Sequence, residues 1–183
     1  MTLTKTPICN FGEKAKDFNL LSTEKKKISL DMVKGDNGTL VMFICNHCPY
    51  VKAIKDIVED VKFLEDLGIK SVAIMSNDVK NYPEDSFENM ISFSKLHNFS
   101  FPYLIDDTQK VAKDYDAVCT PDFFGYNKNL ELQYRGRIRE LKDLEPVSQG
   151  DSDLRTAMKL VAKSGIGPKN QIPSMGCNIK WFK

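Results

Sequence analysis

The sequence predicts an α/β fold in which a mixed sheet is covered by helices on both faces. Three observations carry this. Two apolar runs, "TLVMFIC" (39–45) and "KSVAIMSN" (70–77), flank a helical pattern, as two parallel strands joined by a crossover helix would. Strand and helix patterns keep alternating as far as Tyr115. A hairpin pattern and one more helix then close the chain.

The elements follow in order. "FNLLS" and "KKISL" are short β-like pieces around the polar turn Thr23-Glu24-Lys25, a hairpin ahead of the main alternation. The run 39–45 is a strand buried on both faces. From Pro49 the period changes: Val51, Ile54, Ile57 or Val58, Val61, Leu64 and Leu67 recur every three to four residues until Gly68 stops the helix. After the strand 70–77, "YPEDSFENMISFSKLHNF" has Pro83 and acidic residues in a first turn. Its inner face is Phe87, Met90, Ile91 and Leu96. "FPYLID" is a short strand, and "DTQKVAKDY" a helix capped by its Asp or Thr. "DFFGYN" and "LELQYRGR" form a hairpin about Asn127-Lys128-Asn129. Residues 140–151 read as a polar surface loop, 152–163 as a helix ended near Gly165, and the rest as a tail.

At 183 residues the chain suits one domain with a full core, over 1–183, better than two. A net charge of +1 gives no electrostatic reason to expect nucleic acid or an anionic membrane as a partner. No apolar stretch approaches the roughly 20 residues that span a bilayer. The first residues contain no apolar signal-peptide core, so a cytoplasmic location is expected. The five cysteines, Cys9, Cys45, Cys48, Cys119 and Cys177, are odd in number and scattered, unlike a secreted disulfide framework.

The informative stretch is Cys45-Asn46-His47-Cys48, where the buried strand gives way to a helix. The spacing fits a dithiol–disulfide couple or a metal site. Thiol exchange needs a thiolate, and a helix N-terminus offers free N–H groups and about half a positive charge. Placed there, Cys45 would ionise below the ordinary value of about 8.5, with Cys48 one turn on to resolve a mixed disulfide. A hydrogen-bonding or cationic His47 would favour the thiolate; the plainer alternative is a solvated loop histidine. The metal reading would use Cys45, His47 and Cys48. A structural zinc usually takes four protein ligands. Cys119, Cys177 or His97 would have to help, since the sequence has no second such pair. His97 reads more simply as a surface or capping residue. "VCTPDFFGYN" adds an X-Pro step entering a strand, where a cis bond carries only a small penalty. Spacing alone leaves an ordinary trans proline as the simpler choice.

These segments together resemble thioredoxin-fold redoxins of the alkyl hydroperoxide reductase/thiol-specific antioxidant family. The resemblance runs through "KAKDFNLLS", "VMFICNHCPYVKAI", "FPYLIDDTQKVAKDY", "VCTPDFFGYN" and "PSMGCNIKW". It implies a thioredoxin-like three-layer α/β/α sandwich with a mixed central sheet, an N-terminal hairpin extension and a C-terminal tail. It also implies thiol–disulfide oxidoreductase activity without a bound cofactor or metal. Cys45 would be the nucleophile, Cys48 the resolving thiol, and Pro121 a cis-proline facing them. The backbone of Thr120 would pair with an extended substrate segment. The partners would be a disulfide-containing protein or small molecule and a reductant.

Several positions depart from the family pattern. Asn46-His47 replaces Gly-Pro between the cysteines, Ile44 stands where a Trp is usual, and Thr39 where a buried acid is expected. Pro49 disfavours helical geometry at Cys48. The peroxiredoxin pattern P-x-x-x-[ST]-x-x-C finds Gly38 and Met42 before Cys45, and Val41 and Cys45 before Cys48. A thiol peroxidase, assisted by Arg135, Arg137 or Arg139, is therefore the second enzymatic reading, and a metal-binding module the non-catalytic one. Cys119 and Cys177 are possible auxiliary thiols, Cys177 if the apolar tail docks near the site through Trp181 and Phe182.

Overall fold

Every residue of the strand Gly38–Phe43 is buried, because its side chains alternate between two cores. The computed structural model describes residues 2–53 and 57–183. Among these, β1 (Leu3–Lys5), β2 (Asn19–Ser22), β3 (Lys27–Ser29) and β4 (Gly38–Phe43) precede α1 (Pro49–Ala53) and α2 (Ile57–Asp66). β5 (Ile69–Met75), α3 (Phe87–Leu96), β6 (Tyr103–Ile105) and α4 (Lys110–Asp114) come next. β7 (Cys119–Thr120), β8 (Asp122–Asn127) and β9 (Leu132–Tyr134) follow. The chain ends with a small hairpin, β10 (Leu141–Lys142) and β11 (Glu145–Pro146), then α5 (Asp153–Ser164) and β12 (Met175–Asn178).

Among the described residues the main sheet has the order β3-β2-β6-β5-β4-β8-β9. β4, β5 and β6 run parallel, and β8 lies antiparallel to β4. Leu40, Met42 and Ile44 face one core, with Ile57, Val61 and Leu64 of α2 and Leu154, Met158 and Val161 of α5. Val41 and Phe43 face the other, with Val111, Ala112, Tyr115 and Phe124. This is the mixed sheet between helical layers that the alternating pattern predicts. The C-terminal ends of β4 and β5 open on the same side, and there the motif lies. No helix of the described residues is long and apolar enough to cross a membrane.

Several details differ from expectation. Ile54 belongs to the expected helix but lies outside the described residues. Leu96 is 75% exposed, because it ends α3 instead of lining its inner face. α4 is not capped by Asp107 or Thr108 in the usual way. Asp106 accepts the Ala112 N–H at 2.9 Å, and Thr108 the Lys110 N–H at 3.3 Å. The loop 140–151 contains the β10–β11 hairpin, with Asp143 and Leu144 both at positive φ. The tail is not merely docked. β12 forms a second sheet in the order β1-β12-β7.

Candidate functional site

Pro49 decides where the helix after β4 begins. Proline suits the first helical position, where its missing N–H costs nothing, and it keeps the preceding residue out of helical geometry. α1 therefore starts at Pro49, and the Cys48 carbonyl accepts the N–H groups of Val51 and Lys52, both at 3.1 Å. The helix starts at Pro49 as its pattern predicts, but the expectation that its N-terminus would serve Cys45 is corrected here. The helix presents its first turn to Cys48, and the Val51 N–H also bonds the Cys48 sulfur.

Both motif cysteines are buried, at 1% and 0% exposure. Thr120 holds the pair from the opposite side. Its hydroxyl lies 3.2 Å from the Cys45 sulfur, and its carbonyl oxygen accepts from the Cys48 thiol at 3.1 Å. The following Thr120–Pro121 peptide bond is cis, as the resemblance implies.

Electrostatics divide the two thiols. Cys45 donates a hydrogen bond to Cys48, which together with burial and the nearby Asp85 charge raises the Cys45 pKa well above the ordinary thiol value. The same bond lowers the Cys48 pKa to about 5 against the cost of burial. The Cys177 N–H and thiol and the Val51 N–H add to it. The Thr120 carbonyl opposes a charge on Cys48, being an acceptor itself. Four donors to Cys48 against one acceptor favour its ionisation over that of Cys45.

Beside the motif lies a polar network that sequence reasoning missed. Asp85, fully buried, accepts from the Asn46 N–H at 2.8 Å and from Asn77 Nδ2 at 2.8 Å, and pairs with His47 Nδ1 at 2.7 Å. The Tyr103 hydroxyl donates to Asn46 Oδ1 at 2.9 Å. The bond to Asp85 raises the His47 pKa, against the effect of burial. Burial works against charge on Asp85, but the His47 and Asn77 bonds outweigh it and hold Asp85 below the usual carboxylate range. His47 is thus a half-buried side chain paired with Asp85 and not a solvated one. Nothing in the sequence marks Asp85, which stands 38 residues away in a separate 3₁₀ turn.

β12 corrects a further expectation. Cys177 is the register partner of Thr120, and Asn178 of Cys119. The strand edge at Thr120, expected to receive an extended substrate, is occupied by the chain's own tail. Gly176 permits this approach, since a Cβ there would lie 2.1 Å from the Thr120 carbonyl oxygen. Cys177 is 5% exposed, with its thiol pushed up to about 11 by burial first and by Cys48 second. Cys119 is buried too. Its thiol donates to the Pro121 carbonyl at 3.5 Å, and burial raises its pKa strongly. The tail docks, but not through its aromatics: Trp181 and Phe182 are 38% and 48% exposed, whereas Ile179 is 1% exposed.

Residues 11–141 match the sequence profile of the AhpC/TSA family. The chain belongs to that family. An uncharacterized conserved protein from Geobacillus kaustophilus is 38% identical, with a TM-score of 0.93 over 100% of this chain and 97% of that one. A hypothetical protein from Sinorhizobium meliloti is 36% identical, with a TM-score of 0.89 over 99% of each chain. A thiol:disulfide interchange protein of the thioredoxin family from Chlorobium tepidum shares the fold at 16% identity, with a TM-score of 0.62 over 82% of this chain and 97% of that one. No curated protein matches the chain. The fold is thioredoxin-like.

The family name invokes peroxide chemistry, and the arginines bear on that. Arg135 pairs with the buried Asp122 at 3.0 Å. Arg137 bonds Asp153 at 2.6 Å, and Arg139 donates to the carbonyls of Ser148 and Gly150. For a metal, Cys45, His47 and Asp85 bring one ligand atom each within 4.8 Å of one another. In this arrangement His47 Nδ1 and Asp85 are directed at each other. That leaves Cys45 and His47 Nε2, fewer than a structural zinc requires. His97 is not in this group; it caps the end of α3, its ring tilted against Phe93 with centroids 4.3 Å apart.

Proposed function

We propose that the chain is a thiol–disulfide oxidoreductase whose redox couple is Cys45–Cys48, tuned by His47. The single observation that carries this is the buried pair of thiols at the end of β4, both held by Thr120, whose hydroxyl lies 3.2 Å from the Cys45 sulfur and whose carbonyl lies 3.1 Å from the Cys48 sulfur.

In this reading the Cys48 thiolate attacks a substrate sulfur. The S–S bond of the substrate breaks, one half leaves as a thiolate, and the other half stays on Cys48 as a mixed disulfide. Cys45 then attacks Cys48 and passes its proton to the second leaving thiolate. The products are a Cys45–Cys48 disulfide and two substrate thiols, and an external dithiol or two thiols regenerate the pair. The order reverses the roles implied by the resemblance, because the helix start lies at Cys48. Both cysteines are covered, so exchange requires local opening.

A small-molecule disulfide suits the site better than an extended peptide, since β12 holds the Thr120 edge. A cavity of about 250 Å³ next to Pro121 is lined by Tyr50, Ile138, Lys5, Arg137 and Arg139, among others. Apolar walls with several cations suit a substrate with an anionic end. Glutathione disulfide is the test compound of that class.

Trapping tests the assignment. Cys45→Ser should accumulate a mixed disulfide on Cys48 or its onward product, and Cys48→Ser should accumulate none. Trapping by Cys48→Ser alone would return the attack to Cys45. A pair that never oxidises at any glutathione ratio would remove the function. Faster consumption of peroxide than of disulfide would favour the peroxidase reading instead.

A further inference from the structure

Three sulfurs, not two, meet at the end of β4. Cys177 is buried in β12, which is paired with β1 on one side and with β7 on the other. Its register partner is Thr120, the residue that holds both motif sulfurs. Its backbone N–H and its thiol both hydrogen-bond Cys48. α1 packs against β12, and Ser174 Oγ donates to the Pro121 carbonyl at 2.8 Å, which fixes the strand from its other end. Cys119, the fourth nearby cysteine, is directed instead at the Pro121 carbonyl. Cys48 thus sits between two thiols, Cys45 and Cys177, each within hydrogen-bond contact.

We propose that Cys177 is a second resolving cysteine, which competes with Cys45 for the mixed disulfide on Cys48 and forms a Cys48–Cys177 disulfide. The inference rests on the proposed exchange at Cys48. A substrate disulfide R–S–S–R and the Cys48 thiolate give Cys48–S–S–R and R–S⁻. The Cys177 sulfur then attacks the Cys48 sulfur, the bond to R breaks, and the second R–S⁻ leaves. The proton of Cys177 passes to a departing thiolate. Cys48 and Cys177 are together oxidised by two electrons, and the substrate is reduced to two thiols. The Cys48–Cys177 bond is also open to attack by Cys45, which moves the disulfide to Cys45–Cys48 and returns the proton to Cys177. The tail is thereby part of the redox centre, with β12 covalently tied to the residue that precedes α1 in one oxidised form and only hydrogen-bonded to it in the other. Bonding from thiol contact requires the sulfurs to close to about 2 Å, a side-chain movement within a strand already in place.

The test uses the full chain carrying Cys45→Ser, treated with glutathione disulfide, quenched in acid, alkylated and mapped by peptide mass. The expected result is a transient glutathione adduct on Cys48 that decays, with release of a second glutathione, to a Cys48–Cys177 linked peptide. In Cys45→Ser/Cys177→Ser the adduct should persist. A persistent adduct in Cys45→Ser itself, with Cys177 still open to alkylation, overturns the inference and leaves the exchange at Cys48 standing. No adduct and no link at Cys48 overturns the exchange and the inference together. Should Cys45→Ser fail to fold, the unaltered chain decides. At partial oxidation a Cys48–Cys177 peptide should accompany Cys45–Cys48, and its absence at every glutathione ratio refutes the second resolving role.

Discussion

Cys48 has a thiol neighbour on either side, and the regions that supply them are built in opposite ways. Cys45 arrives by local geometry, in the same strand-to-helix turn, and brings the buried Asp85 with it. Cys177 arrives through long-range strand pairing and brings an N–H and a thiol but no carboxylate among the main influences on its titration. On the Cys45 side, the Asp85 charge discourages a thiolate on the first cysteine. On the tail side, uncharged donors encourage one on the second. The Cys48 pKa is lowered first by the Cys45 thiol on one flank and then by the Cys177 N–H and thiol on the other, without a lysine or arginine among the main influences on its titration.

Removing Cys48 eliminates the point on which both flanks converge. Cys48→Ser should lower the turnover of glutathione disulfide by on the order of 10³-fold or more, as loss of a covalent nucleophile does. Cys177→Ser should lower it far less, because Cys45 still resolves. Equal losses in the two variants would show that the flanks are not separable. The rate of Cys48 alkylation should follow a titration centred near about 5, the pKa its donors give it. In Cys177→Ala that midpoint should rise, since the thiol donor is gone.

The tail flank can be weakened without touching a sulfur. Ile179 is almost wholly buried against Val41, Phe124 and their neighbours, and its N–H donates to the Val118 carbonyl at 3.1 Å. Ile179→Ala should cost about 2–5 kcal/mol in urea unfolding, the range for a buried Ile truncated to Ala. Gly176→Ala should cost about 1–3 kcal/mol, because its Cβ must push β12 away from Thr120. Both should raise the Cys48 titration midpoint by loosening the Cys177 donors. An unmoved midpoint in a destabilised Gly176→Ala protein would separate tail docking from thiol tuning.

The two flanks differ just as much in how legible they are in sequence. Cys45, His47 and Cys48 stand together, so their chemistry follows from spacing and from the change of period at Pro49. The same proline signals that the helix start moves, which the usual family pattern of roles obscures. The main sheet is legible because β4 and β5 are continuous apolar runs around a helical pattern. Asp85 is not legible, since a short acidic 3₁₀ turn looks like many solvated helix starts until Asn46, His47 and Asn77 converge on it. β12 and β1 are equally hidden. Met175–Asn178 and Leu3–Lys5 are too short and too mixed to read as strands, and only their pairing across the whole chain makes them so.

The Asp85 flank makes a smaller, pH-dependent prediction. Asp85→Asn removes the partner that raises the His47 pKa, and should cost about 1–2 kcal/mol where both groups are charged, after allowance for partial exposure of His47. A histidine whose folded pKa is raised contributes fully below its unfolded value of about 6.5, and the contribution is lost as pH rises through the raised value. Asp85, held low, contributes above its unfolded value of about 3.9, and this is lost as pH falls through the depressed one. The penalty should therefore be greatest between about pH 4 and 6.5 and should shrink in alkali. Unfolding at pH 5.5 and pH 9 tests the sign. A penalty that grows with pH would show that His47 is neutral in the folded protein.

Trp181 should show the smallest effect. The sequence makes it the obvious anchor of the tail, as the one tryptophan in an apolar ending. In the structure the residue is 38% exposed, with the Lys113 ammonium 5.7 Å from the ring centroid. The backbone around it is held by Gln109 instead. Gln109 Nε2 donates to the Lys180 carbonyl at 2.7 Å, and its Oε1 accepts the Phe182 N–H at 2.8 Å. An exposed cation–π contact is worth about 0.5–1 kcal/mol, and these backbone bonds survive a side-chain truncation. Trp181→Ala should thus lower stability by about 1 kcal/mol or less and leave the alkylation midpoint of Cys48 where it is. A larger loss, together with a raised midpoint, would mean that the end of the tail and not Ile179 seats β12 against Thr120.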